Sequence, residues 1–191
     1  MSIRPKFALM MPEISKTPIE GLIVIKPAVF SDPRGYFIES YNESDFSAIG
    51  INDHFVQDNR SLSARGILRG LHFQKPPYAQ AKLIQVVSGS VLDVVVDIRK
   101  NSDSYGKHFS IEISGENFLQ LYIPEGFAHG FLTLEDNTVF SYKCASYYNK
   151  SSEDGLMWND PLLSIDWNIQ NPLLSDKDMN FIGFDKFVSP F

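Results

Sequence analysis

The sequence predicts an all-β protein, an antiparallel jelly roll or β-barrel with short peripheral helices. Three observations lead there. Apolar residues recur with period two along many short runs, turn-forming residues separate those runs, and sustained helical periodicity is scarce. The clearest run is Gly89 to Ile98. Leu92, Val94, Val96 and Ile98 share one face, while Val91, Asp93, Val95 and Asp97 share the other and mix apolar with acidic groups. Such a strand fits a barrel or sandwich whose second face lines a cavity or meets solvent.

The other candidate strands, in chain order, are residues 22–30, 36–41, 54–57, 67–74, 83–87, 109–114, 118–123, 127–134 and 138–148. Turn chemistry divides them: Asp-Pro-Arg-Gly at 32–35, Gln-Lys-Pro-Pro at 74–77, Ser-Gly-Ser at 88–90, Ser-Gly-Glu-Asn at 114–117, Pro-Glu-Gly at 124–126 and Glu-Asp-Asn at 135–137. One short helix is expected at residues 42–50, with Asn42 as its cap and Gly50 as its stop. From Asn168 onward Pro, Asp, Lys and Phe follow no clear period, which suggests turns or short helices packed on the barrel. No internal repeat, low-complexity tract or linker interrupts the chain. We read residues 1–191 as one domain, with an arm at 1–20 and a tail at 168–191.

Composition narrows the function. Of 191 residues, 43% are hydrophobic and 21% charged, an ordinary globular balance with enough chain to bury a core. A formal net charge of −6 argues against nucleic acid or an anionic membrane as the main partner. Cys144 is the single cysteine, so an internal disulfide or a thiolate metal cluster is excluded. No apolar run approaches the roughly 18–20 residues that span a bilayer. The apolar stretch at residues 7–11 is too short for a secretion signal and lacks a small-residue cleavage site after it. A cytoplasmic location is expected.

Four places carry residues suited to chemistry. Arg69 and His72 lie three positions apart in an apolar strand. Strict alternation sends them to opposite faces, but a bulge at Gly70 would bring them to one side. Lys82 opens another apolar strand. It either snorkels to solvent or points inward as a fixed positive charge for a developing oxyanion. Tyr142, Cys144, Ser146 and Tyr148 share one face of the strand at 138–148, and Tyr147 takes the other. This is an aromatic sheet face, or one bearing a proton donor and a stacking platform.

The fourth place is Pro124-Glu-Gly-Phe-Ala-His129, which resembles the second motif of the cupin superfamily. The matching first motif, Leu71-His72-Phe73-Gln74-Lys75, has one histidine where metal cupins carry His-x-His. The four histidines, His54, His72, His108 and His129, do not fall at the spacing of such a site. No catalytic metal is expected.

Eight segments in order then resemble the dTDP-4-dehydrorhamnose 3,5-epimerase family, between about Gly21 and Asp178. They are Phe-Ser-Asp-Pro-Arg-Gly-Tyr-Phe-Ile-Glu at 30–39, Phe-Val-Gln-Asp-Asn at 55–59, Leu-Arg-Gly-Leu-His-Phe-Gln at 68–74, Val-Val-Val-Asp-Ile-Arg-Lys at 94–100, Ile-Pro-Glu-Gly-Phe-Ala-His-Gly-Phe at 123–131, Tyr147-Tyr148, Trp-Asn-Asp at 158–160 and Leu-Ser-Asp-Lys-Asp at 174–178. The resemblance implies a cupin-type fold and epimerisation at C3 and C5 of dTDP-4-dehydro-6-deoxy-D-glucose through an enolate, without redox cofactor or metal. A single-centre epimerase, or one acting on another nucleotide 4-keto-6-deoxy sugar, is the alternative.

Carried over residue by residue, it makes His72 the base and Asp178 its carboxylate, with Asp176 as the fallback. Lys82 becomes the group at the 4-keto oxygen and Tyr142 the acid. Tyr148 becomes the platform under thymine, and Arg34, Glu39, Gln57, Asn59, Arg69, His129, Glu153 and Lys177 become nucleotide-sugar contacts. The arginines suit a diphosphate through their bidentate fork. The resemblance also implies a homodimer with exchanged N-terminal strands, for which residues 22–30 are apolar enough, and places Arg34 or Glu39 in the partner's site. Two positions depart from the family pattern. Arg60 stands where histidine is common, with a phosphate or ribose contact at stake, and Ala81 stands where glycine is usual.

Overall fold

The computed structural model describes residues 11–191. Residues 1–10, and with them half of the expected arm and most of the apolar stretch at 7–11, lie outside the described residues. The described residues are mostly β-sheet with two short α-helices and one 3-10 turn (Phe184–Lys186), and the pairings between strands are antiparallel.

One sheet has six strands in the order β1 (Glu13–Lys16), β2 (Ile23–Lys26), β10 (Gln120–Ile123), β7 (Lys82–Ser88), β12 (Thr138–Cys144) and β5 (Gln57–Ser63). A second sheet runs β13 (Glu153–Gly155), β6 (Leu68–Gln74), β11 (Phe127–Thr133), β8 (Ser90–Asp97) and β9 (His108–Ser114). A separate hairpin pairs β3 (Val29–Asp32) with β4 (Gly35–Ile38).

The two sheets meet over one apolar cluster. Ile84, Val86, Leu121, Ile123 and Phe140 enter it from the first sheet, and Val91, Val95, Ile113, Phe127 and Phe131 from the second. Phe131 and Phe140 stack with centroids 4.1 Å apart, tying the sheets face to face. Each such buried side chain contributes about 1.5–3 kcal/mol. The mixed face of β8 is therefore the inner one: Val91 and Val95 pack there while Asp93 and Asp97 are fully buried beside them.

Val94, Val96 and Ile98, on the other face, pack with Leu68, Leu71, Phe73 and Leu132 in an outer cluster. Trp158, Trp167, Leu174, Phe184, Phe187 and Phe191 cover that cluster from the C-terminal part of the chain. The first sheet's outer face carries Ile25 and Leu83, covered by Phe46 and Ile51. Phe46 comes from α1 (Glu43–Ala48), where the Asn42 side chain accepts from the Ser44 N–H at 3.1 Å and Gly50 follows the helix at φ +94°.

Three expected elements differ. The strand at 22–30 is two strands, because Pro27 between them has no N–H to give to a ladder. Residues 54–56 are irregular, and the strand begins at Gln57 and runs through seven mostly polar residues. The strand from Thr138 ends at Cys144, and Ser146 and Tyr148 lie in the segment beyond it. No helix among the described residues is long and apolar enough to cross a membrane.

Candidate active site

His72 reaches its place through a register slip. It pairs with His129 across β6 and β11, yet Arg69 pairs with Phe131, so three steps on β6 match two on β11. The extra residue sits at Gly70–Leu71 and puts Arg69 and His72 on one side of the sheet. Gly70 has φ +139°, and a Cβ there would stand 2.5 Å from the Gly130 Cα, so glycine is required on both counts.

Facing this side, β7, β12 and β5 project alternate residues inward. Lys82 opposes Cys144, Tyr142 opposes Asn59, and Cys144 opposes Gln57. The two walls and the segment after β12 enclose a cleft of about 270 Å³ lined by Gln57, Asn59, His72, Phe73, Gln74, Gln80, Lys82, Tyr142, Cys144, Tyr148 and Glu153.

His72 comes with a carboxylate. His72 Nε2 lies 2.6 Å from Asp178 Oδ1. Asp178 belongs to α2 (Asp176–Met179), whose N-cap Ser175 accepts from the Asp178 N–H, and its side chain is only 4% exposed. Asp176 is exposed and bonds no histidine, so the fallback position is set aside. Burial pushes the His72 pKa below its usual 6.5 despite the opposing pull of Asp178. Burial pushes Asp178 upward, but the bond to His72 outweighs it and leaves the carboxyl below its usual value. At neutral pH the pair is thus a neutral imidazole donating Nε2–H to a carboxylate. Nδ1, without a hydrogen-bond partner among the described residues, keeps its lone pair.

Two further titratable groups face the same cleft, and burial shifts both. Burial, reinforced by Cys144 and opposed by Arg69, raises the Tyr142 phenol, which stays protonated at neutral pH. Burial lowers Lys82, while Cys144, Asp93 and Glu153 oppose that shift. Lys82 lines the cleft, so it points inward rather than snorkelling.

At the rim, Glu153 joins Lys177 at 2.7 Å, and the Tyr148 hydroxyl donates to Glu153 at 3.0 Å. The Tyr148 N–H donates to Gln57 Oε1 at 2.9 Å. Arg69 donates weakly to Ser63 Oγ.

Four expectations need correction or placement. His129 does not line the cleft. Its ring lies against Phe131 and Phe140, its side chain is 8% exposed, and Nε2 is 2.8 Å from Asp93 Oδ2. Arg34 and Glu39 lie outside the cleft of their own chain. Arg34 is an exposed hairpin residue paired with Asp32, and Glu39 accepts from Asn42. Arg60 alternates with the cleft-lining Asn59, is exposed and does not line the cleft of its own chain.

Gln74 and Gln80 escaped the sequence reading. Gln74 holds Tyr78 O, Tyr147 O and the Asn149 N–H, and Gln80 holds Ser146 O, pinning the loop after β6 to the segment after β12. A glutamine buried at the end of an apolar strand was the available signal. Among the described residues, no group of three or more His, Cys, Asp and Glu side chains is gathered as metal ligands.

A β-walled cleft holding a carboxylate-backed imidazole, a protonated phenol and a buried lysine has the side chains of an acid–base enzyme. Comparison with known proteins gives the family. The model of the dTDP-4-dehydrorhamnose 3,5-epimerase family matches residues 16–186. The Shigella flexneri dTDP-4-dehydrorhamnose 3,5-epimerase is 50% identical over 179 residues, 92% of this chain and 99% of that one.

Among solved structures, the Elizabethkingia anophelis dTDP-4-dehydrorhamnose 3,5-epimerase superposes with a TM-score of 0.88 at 51% identity, covering 93% of this chain and 99% of the other. A Legionella pneumophila dTDP-6-deoxy-D-glucose-3,5-epimerase in complex with dTDP-4-keto-L-rhamnose gives 0.89 at 42% identity, covering 93% and 95%. This chain belongs to the dTDP-4-dehydrorhamnose 3,5-epimerase family and is an isomerase.

Proposed function

We propose that the protein converts dTDP-4-dehydro-6-deoxy-D-glucose to dTDP-4-dehydro-L-rhamnose by inverting C3 and C5, working as one cupin-type domain. The observation that carries this reading is the 2.6 Å His72–Asp178 pair opening on a cleft that also holds Tyr142 and Lys82. Both carbons flank the C4 ketone. His72 Nδ1 takes a proton from one of them, the electron pair moves to O4, and the Lys82 ammonium meets the oxyanion. Tyr142 then protonates the carbon from the opposite face, and solvent resets phenol and imidazole. Repetition at the other carbon completes a reaction in which nothing is oxidised or reduced overall.

Gln57, Asn59, Arg69, Glu153 and Lys177 surround the nucleotide sugar, with Tyr148 under the base. Arg34 and Glu39, exposed on and beside the β3–β4 hairpin, serve the partner's cleft in a homodimer. The two-centre reading is favoured over the single-centre one by the 3,5-epimerases among the relatives.

The test is incubation with the 4-keto-6-deoxyglucose nucleotide in heavy water, read by NMR. Deuterium is expected at both C3 and C5. His72→Asn should abolish uptake at both while the protein remains folded. Uptake at one carbon alone would establish the single-centre alternative, and uptake by the His72 variant would remove the base assignment. Tyr142→Phe should retain exchange while losing most of the inverted product.

A further inference from the structure

A second histidine–carboxylate pair lies next to the one that carries the proton transfer. Asp93 on β8 is fully buried; its Oδ2 meets His129 Nε2 at 2.8 Å, and its Oδ1 has no hydrogen-bond partner among the described residues. A buried carboxylate oxygen left unpaired is costly, and where one is found it calls for an explanation. Register fixes where it faces. Val91 and Val95, two residues to either side of Asp93, pack in the inter-sheet cluster, and Lys82 stands two residues before Ile84, which packs there from the opposite sheet. The two charges enter the interior from opposite walls.

The ionisable groups facing Lys82 are Cys144 and Tyr142 from β12, His72 from β6, Glu153 from β13 and Asp93 from β8. Only the two carboxylates are ordinarily anionic at neutral pH, and Glu153 is already engaged by Lys177 and Tyr148. Asp93 has an oxygen to spare. We propose that Asp93, oriented by His129, is the counter-charge that keeps the Lys82 ammonium protonated and held toward the cleft, which makes it a positioning residue for the group that meets O4. Burial is the larger influence at both groups: it leaves Lys82 below its usual value although Asp93 counters it, and Asp93 above its usual value although His129 and Lys82 counter it, so each charge depends on the other.

The inference rests on the epimerase reading, and the experiment separates the two. Deuterium exchange into the keto-sugar nucleotide is followed from pH 6 to 10 in a Tyr142→Phe background, which removes the phenol from the alkaline limb. Adding Asp93→Asn should move that limb down by about one pH unit or more and slow exchange about tenfold at pH 8, with little change in KM. A limb that stays in place overturns the proposal, since a merely structural aspartate alters thermal stability without moving it.

Lys82→Arg keeps its charge throughout this range and should erase the limb. A limb that survives it belongs to Cys144 and also overturns the proposal. If Asp93→Asn does not fold, ¹⁵N-lysine labelling of the wild type decides. The Lys82 resonance, assigned by its loss in Lys82→Arg, should be an ammonium at pH 8, and a neutral amine there refutes the counter-charge. Absence of exchange in the wild type sinks the epimerase reading alone, because the lysine resonance needs no substrate.

Discussion

At the scale of single residues, two environments act on His72, the proposed base, in opposite senses. Burial disfavours its charged form, and Asp178 favours it but less strongly, so the imidazole is a free base below its usual pKa of 6.5. The sign for activity follows. Exchange should hold as pH is lowered through 6.5 and fail only below it, when Nδ1 is protonated; a half-maximum above 6.5 in the rate profile contradicts this. Asp178→Asn preserves shape but accepts or donates in either sense, so the Nε2–H tautomer is no longer enforced. Exchange should fall by about 10²- to 10⁴-fold in that variant, with KM little altered.

Much at this scale was legible. The glycine between Arg69 and His72 announced the bulge that unites them. His129 was not legible, because a motif histidine reads the same whether it touches a ligand or an aspartate one strand away.

At the scale of elements, function shows where the apolar pattern fails. β5 escaped the hydrophobic reading since its inward positions are Gln57, Asn59, Ser61 and Ser63; the first two line the cleft, where an apolar wall would bind no sugar nucleotide. The strands that pack the inter-sheet cluster kept a clean period of two and were read correctly to within a few residues. The crossing of β6 and β11 is the tightest junction near the site. Gly70→Ala combines a strained φ with a Cβ 2.5 Å from backbone that has no side chain to move. It should cost about 1–3 kcal/mol in denaturant unfolding and displace His72, lowering exchange more than the stability loss explains. Gly50→Ala, whose Cβ meets nothing within 4 Å but whose φ is also positive, controls for strain alone.

For the whole molecule, acid sensitivity is set by carboxylates buried with partners. Burial alone would raise Asp97, but the Arg99 guanidinium, the Ser102 and Ser104 hydroxyls and the Arg99 N–H outweigh it and hold the group at about 2. Its folded pKa is depressed from 3.8, so its stabilisation is present above 3.8 and is lost as pH falls from 3.8 toward 2. Asp178, also depressed, loses its contribution below 3.8 as well. Asp97 contributes roughly 2 kcal/mol. Chemical denaturation should therefore give stability that declines steeply below about pH 4. Arg99→Met should reduce stability at pH 7 and flatten that decline; an unchanged profile would remove the network from the account.

The sheet order was not legible in the sequence, because strands of similar composition give no sign of which neighbours they choose.

The proposed proton acceptor is assembled from distant parts of the polypeptide: an imidazole from the middle of the chain and a carboxylate from its last turns, 106 residues later. Ribosomal synthesis makes both walls of the cleft well before the group that primes the histidine. A nascent or clipped chain ending ahead of Ser175 holds a ring without its anion, so on the proposed mechanism catalytic competence arrives only after translation has passed that point.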